Sequence, residues 1–79
     1  MNNINLIKLY IDQDYRILLG KPHIKGTRLS VEIILRKMAE GASIVDLTEM
    51  YPGLTIDQLH ACLEYAASVV SNDEILEVA

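Results

Sequence analysis

The strongest constraint on this chain is the order of helix-starting and helix-ending residues between Ser30 and Thr55. Ser30 precedes Val31, Ile34, Leu35 and Met38, which recur at i, i+3, i+4 and i+7 and so line one helix face. A serine there accepts a hydrogen bond from a free first-turn amide, and Gly41 supplies a left-handed stop, so a helix is predicted over 31–40. Ser43 with Asp46 has the spacing of a capping box and opens a second helix, with Ile44, Leu47 and Met50 turned inward. Pro52 disfavours helical dihedrals at Tyr51, and Gly53 permits a tight reversal. Thr55 with Gln58 forms a second box and opens a third helix, whose inward stripe is read as Ile56, Leu59, Leu63, Ala66 and Val70. That helix is expected to run to about Ser71, where Asn72 and Asp73 break it. The last two helices flank a four-residue turn, Pro52 to Thr55, which is a helix-turn-helix arrangement.

The first 29 residues carry a different pattern. Tyr15-Arg16-Ile17-Leu18-Leu19 is a β-prone run ending at Gly20, and Pro22 then blocks a helix. His23-Ile24-Lys25 is a second extended segment, closed by Gly26. The expectation is a mainly α single domain over 1–79: a short N-terminal β arm or hairpin (1–29), a three-helix core (30–71) and an acidic tail (72–79).

Size sets the next limit. A chain of 79 residues buries only roughly 60% of the surface it exposes when unfolded. Its hydrophobic fraction is nevertheless 51%, and the single Cys62 excludes an intramolecular disulfide, so association is the expected source of extra stability. The third helix carries a second apolar stripe, Cys62, Tyr65 and Val69. Two readings stay open: the N-terminal arm folds over that stripe, or it is the seam of a homodimer. No apolar run approaches the roughly 18 residues of a membrane span, and one free thiol without a secretory leader points to the cytoplasm.

Charge is divided along the chain. All seven Lys and Arg residues lie in the first 37 positions, opposed there by Asp12, Asp14 and Glu32, for a net +4. From Met38 onward eight acids stand without a cation. Such a split suits two surfaces with different partners, one half of a dimer meeting the other, or mere solvation.

Catalytic and metal chemistry find little support. His60 and Cys62 are two apart on a helix and point away from each other, and further zinc ligands are not visible. Cys62 lies mid-helix among acids, whereas a nucleophilic thiol needs nearby cations or a helix N-terminus. Gly20 to Thr27 fails as a phosphate loop, because five residues separate the glycines and no Lys follows Gly26. No enzyme activity, cofactor or metal is expected. Nucleic-acid binding is the natural use of a helix-turn-helix, yet the helix in the reading position offers Asp57 and Glu64 with no cation to offset them. Contacts to DNA or to a partner would come from Lys21, Lys25, Thr27 and Arg28, with Arg36 and Lys37 from the first helix and Gln58 able to read an adenine. Against that stands pairing of these cations with acids of the same molecule.

The stretch Gly20-Lys21-Pro22-His23-Ile24-Lys25-Gly26-Thr27-Arg28-Leu29-Ser30-Val31 resembles the signature G-K-P-x-I-K-G-T-R-I-x-V of a small bacterial family catalogued as domain of unknown function 433. Glu40-Gly41-Ala42-Ser43 resembles its E-G-x-S junction, Tyr51-Pro52-Gly53-Leu54-Thr55 its Y-P-x-L-T, and Ala61 to Ala67 its closing A-L-E-Y-A-like run. The likeness covers roughly residues 10 to 68; Cys62 departs from a usual alanine, and Leu29-Ser30 from a common Ile-Pro. The resemblance implies a homeodomain-like three-helix fold behind a β arm, usually dimeric. It further implies the antitoxin of a toxin–antitoxin pair, encoded beside a PIN-type nuclease toxin. On that reading Ile75, Leu76 and Val78 of the tail dock on the toxin, the bland alternative being a frayed terminus. A DNA-binding autoregulator acting on its own promoter through the basic arm is the second expectation.

Overall fold

The computed structural model describes the backbone over residues 4–78 and the side chains over residues 6–71. Helix α1 (Ile4–Tyr10) leads directly into strand β1 (Ile11–Asp12), and β2 (His23–Ile24) pairs with it antiparallel, Ile11 opposite Ile24 and Asp12 opposite His23. Helices α2 (Val31–Ala39), α3 (Ile44–Met50) and α4 (Ile56–Val78) follow. The mainly α expectation with a short hairpin holds, with a fourth helix that the reading of the first 29 residues as an arm did not contain.

Helix starts are where the sequence places them. The Ser30 hydroxyl accepts from the Ile33 amide at 3.0 Å. Ser43 and Asp46 exchange both capping-box bonds, at 3.0 and 2.9 Å, and Thr55 and Gln58 do the same at 3.1 and 2.8 Å. Gly53 turns the corner between α3 and α4 at φ +95°, a left-handed value that a side chain would strain.

Three expectations need correction. Tyr15 to Leu19 is a turn, not a strand. The Asp14 side chain takes the Arg16 amide at 2.9 Å and its carbonyl takes the Ile17 amide at 2.8 Å, so the chain bends before a strand can start. The 3-10 turn that follows, Leu18–Gly20, has positive φ at all three residues. Second, α4 does not stop at Asn72 and Asp73 but continues to Val78. Those residues cost a helix only a few tenths of a kcal/mol each, and neither Gly nor Pro interrupts the segment.

Third, the inward face of α4 is only partly the one expected: Leu59 is inward as read, but the face is shared with Ala61 and Cys62 and not with Ile56, Leu63 and Val70. Leu59, Ala61 and Cys62 are fully buried, whereas Ile56, Leu63 and Val70 remain 54%, 42% and 65% exposed. The reason is α1, which packs on α4 more extensively than any other element does. The core unites Ile11 and Ile24 of the hairpin, Val31 and Ile34 of α2, Leu47 of α3, Leu54 of the corner and the buried face of α4. Each fully buried Ile or Leu here contributes about 1.5–3 kcal/mol.

Candidate functional site

The loop from Gly20 to Ser30 is held by its own backbone. Ile24 and Leu29 close it with a 2.9 Å hydrogen bond, the Lys25 amide donates to Tyr10 at 2.8 Å, and Val31 donates to Pro22 at 2.9 Å. Gly26 takes φ +77° in the tight turn where the Thr27 amide donates to the Ile24 carbonyl, so conformation, not close approach, is its reason. The Thr27 hydroxyl donates to the Ile24 carbonyl at 2.7 Å and accepts from the Leu29 amide at 3.0 Å. Its polar capacity is spent on the loop.

The cations divide into paired and unpaired. Lys21 and Arg36 both grip Glu32, at 3.0 and 3.1 Å, and lower its carboxyl below the ordinary carboxylate range. Arg16 pairs with Asp14 at 3.0 Å. These ion pairs draw on acids of the first 37 residues. Lys25 donates to the Lys8 carbonyl, whereas Arg28 is exposed and makes no ion pair among the described residues. Arg28 is thus presented outward from a rigid loop.

Gln58 lies beside that loop in space: a pocket of about 220 Å³ is lined by Thr27, Leu29, Gln58 and the Tyr51–Leu54 corner. The Gln58 side-chain oxygen is engaged by the Thr55 amide, which leaves its NH₂ group for an outside contact. The structure therefore brings Thr27 and Gln58 together from distant parts of the sequence, through the loop's fixed shape.

A larger concavity lies on another face. It is a groove of about 520 Å³ between α2 and α4, lined mainly by apolar side chains, among them Val31, Leu35, Tyr65, Val69 and Val70. Pro22, Glu32 and Arg36 belong to the same lining. Of the expected seam, Tyr65 and Val69 line this groove, but Cys62 does not. It is completely buried within its own chain, and burial pushes its thiol up to about 11. The apolar surface that α4 leaves exposed there is thus at Val69 and Val70, not at Cys62. The side chains of Ile75, Leu76 and Val78 lie outside the described residues.

His23 is expected from the sequence only as part of an extended segment of the arm, because nothing local marks it as buried. It is fully enclosed, with Nδ1 3.0 Å from the Lys21 carbonyl oxygen, so Nδ1 carries the proton in the neutral ring. Its Nε2 is buried without a hydrogen-bond partner among the described residues. Among the described residues no group of three His, Cys, Asp or Glu side chains is placed to hold a metal ion, and no helix is long and apolar enough to cross a membrane.

Known proteins bear on this geometry as follows. The family described as Protein of unknown function (DUF433) matches residues 11–66. Among solved structures the chain is similar to the crystal structure of a DUF433 member protein from Anabaena variabilis, with a TM-score of 0.75 and 23% identity, over 96% of this chain and 78% of that one. No curated protein matches.

Proposed function

The chain belongs to the DUF433 family, and from that premise we propose that it is a non-enzymatic partner-binding module of the cytoplasm, the antitoxin of a toxin–antitoxin pair acting as a homodimer. One observation carries the reading. Every described residue of α4 from Ala67 to Ser71 is exposed, apolar Val69 and Val70 among them, and the helix continues to Val78. A helix with an uncovered apolar side suits capture in a partner's groove. Beyond Ser71 its sequence adds Asp73, Glu74 and Glu77, which favour a basic partner such as a PIN-type nuclease. The test is co-expression with the product of the neighbouring gene, followed by pull-down of wild type and of a chain lacking residues 72–79. Loss of capture on truncation is the expected result, and undiminished capture would remove the end of α4 from the reading.

One observation favours a second use, binding of promoter DNA. Arg28 is exposed, makes no ion pair among the described residues and is held on a fixed loop, with Lys25 three positions before it. A gel shift on the gene's own promoter at low salt, lost in Lys25→Ala/Arg28→Ala, would support it. Absence of any shift ends it.

A further inference from the structure

We propose that the turn from Asp14 to Gly20 is a second docking element for the protein partner captured by α4, a preformed knob whose Tyr15 and Leu19 side chains enter an uncharged apolar cleft on that partner. This deepens the toxin-capture reading and rests on it for the partner's identity.

Tyr15 and Leu19 are the most exposed large hydrophobic side chains among the described residues, at 79% and 83%. They stand on a turn that closes on itself. The Asp14 carboxylate takes the Arg16 amide at 2.9 Å and the Arg16 guanidinium at 3.0 and 3.1 Å, and the Gly20 amide donates to the Ile17 carbonyl at 3.0 Å. A Cβ placed on Gly20 would lie 3.8 Å from the Tyr15 Cα, so the two ends of the turn meet. Both anchors are thus presented on a backbone already in shape, and little order remains to be imposed on binding.

Backbone strain points the same way. Leu18 and Leu19 hold φ +53° and +56°, and Leu19 has almost no packing of its own to offset that conformation. Glycine or asparagine would adopt it at less cost. A leucine held outward there is unfavourable in the isolated chain and becomes favourable once its side chain is covered.

Charge selects the kind of surface. Asp14 neutralises Arg16 at 3.0 Å, Lys21 is tied to Glu32 at 3.0 Å, and no other charged residue lies between Gln13 and Lys21. The knob therefore offers no free cation to a phosphate-rich surface, whether nucleic acid or lipid. A neutral cleft on a protein would cover both side chains without stranding a charge.

Titration calorimetry of the full chain against the purified product of the neighbouring gene tests this. Leu19→Asn keeps the left-handed backbone and removes the apolar side chain. Leu19→Asn and Tyr15→Ser should each weaken binding about tenfold or more. Their melting temperatures should not fall, so the loss cannot be ascribed to unfolding. Leu19→Met, of similar volume and polarity, should bind nearly as wild type does. Wild-type affinity in both Leu19→Asn and Tyr15→Ser overturns the knob while leaving capture by α4 standing. A wild type that does not bind the product overturns both readings. Leu19-dependent self-association of the chain alone, or Leu19-dependent binding to phosphatidylcholine vesicles, would give the turn a different occupant and overturn the proposal as well.

Discussion

Cys62 stands fully buried at the contact between α4 and the rest of the core, and its thiol stays protonated up to about 11 against an ordinary value of 9.0. Once unfolded, the same thiol ionises from about pH 9, so above that pH the unfolded chain holds fewer protons than the folded one. Stability should therefore fall as pH rises from 9 toward 11, by up to about 2 kcal/mol from this group. Urea melts of wild type and Cys62→Ala across that range should diverge, the variant keeping the flatter slope. A thiol reagent should also react slowly with the native protein. Leu18 and Leu19 offer the opposite case, side chains held at φ +53° and +56°, a region that costs roughly 1–2 kcal/mol per residue. Leu19 is 83% exposed, so it gains little packing in return. Leu19→Gly should raise stability by about 0.5–1 kcal/mol after the glycine's own chain-entropy cost, read as a higher melting temperature.

The helices divide by how local their causes are. The starts of α2, α3 and α4 were legible because a cap is an exchange of hydrogen bonds among residues three apart, such as Thr55 with Gln58. Helix α1 was not, because seven residues cannot sustain a helix alone and its cause is a surface some fifty positions away. The missing helix also hid the orientation of α4. Apolar residues occur all around that helix, so spacing joins Leu59 to Ile56, Leu63 and Val70 as readily as to Cys62, and the packing of α1 decides between them. The Thr27–Gln58 pocket was likewise beyond spacing rules, although both residues stood out singly. If α1 is the cover, Ile7→Asp, on its packed side, should cost about 2–3 kcal/mol and make Cys62 accessible to a thiol reagent. An unchanged melting temperature with a still-protected thiol would contradict this account of α4.

Across the whole molecule, stability and outward reach are separated in space. Among the described residues the buried ones end at Cys62, and Ala67 to Ser71 of α4 are all exposed. Removing residues 72–79 should therefore lower the helical signal without moving the melting temperature by more than a few degrees, a contrast that calorimetry beside circular dichroism will read. Signature and surface are also partly separate: Thr27 and Gly26 serve the loop's shape, while Arg28, between them and α2, is free to meet something else. The packing of α1 on α4 has one more consequence, which concerns time. As the chain emerges from the ribosome its first helix has nothing to lie against until the last one is synthesised. The contact between α1 and α4 is thus a late step of folding, made only once the whole span between them is available.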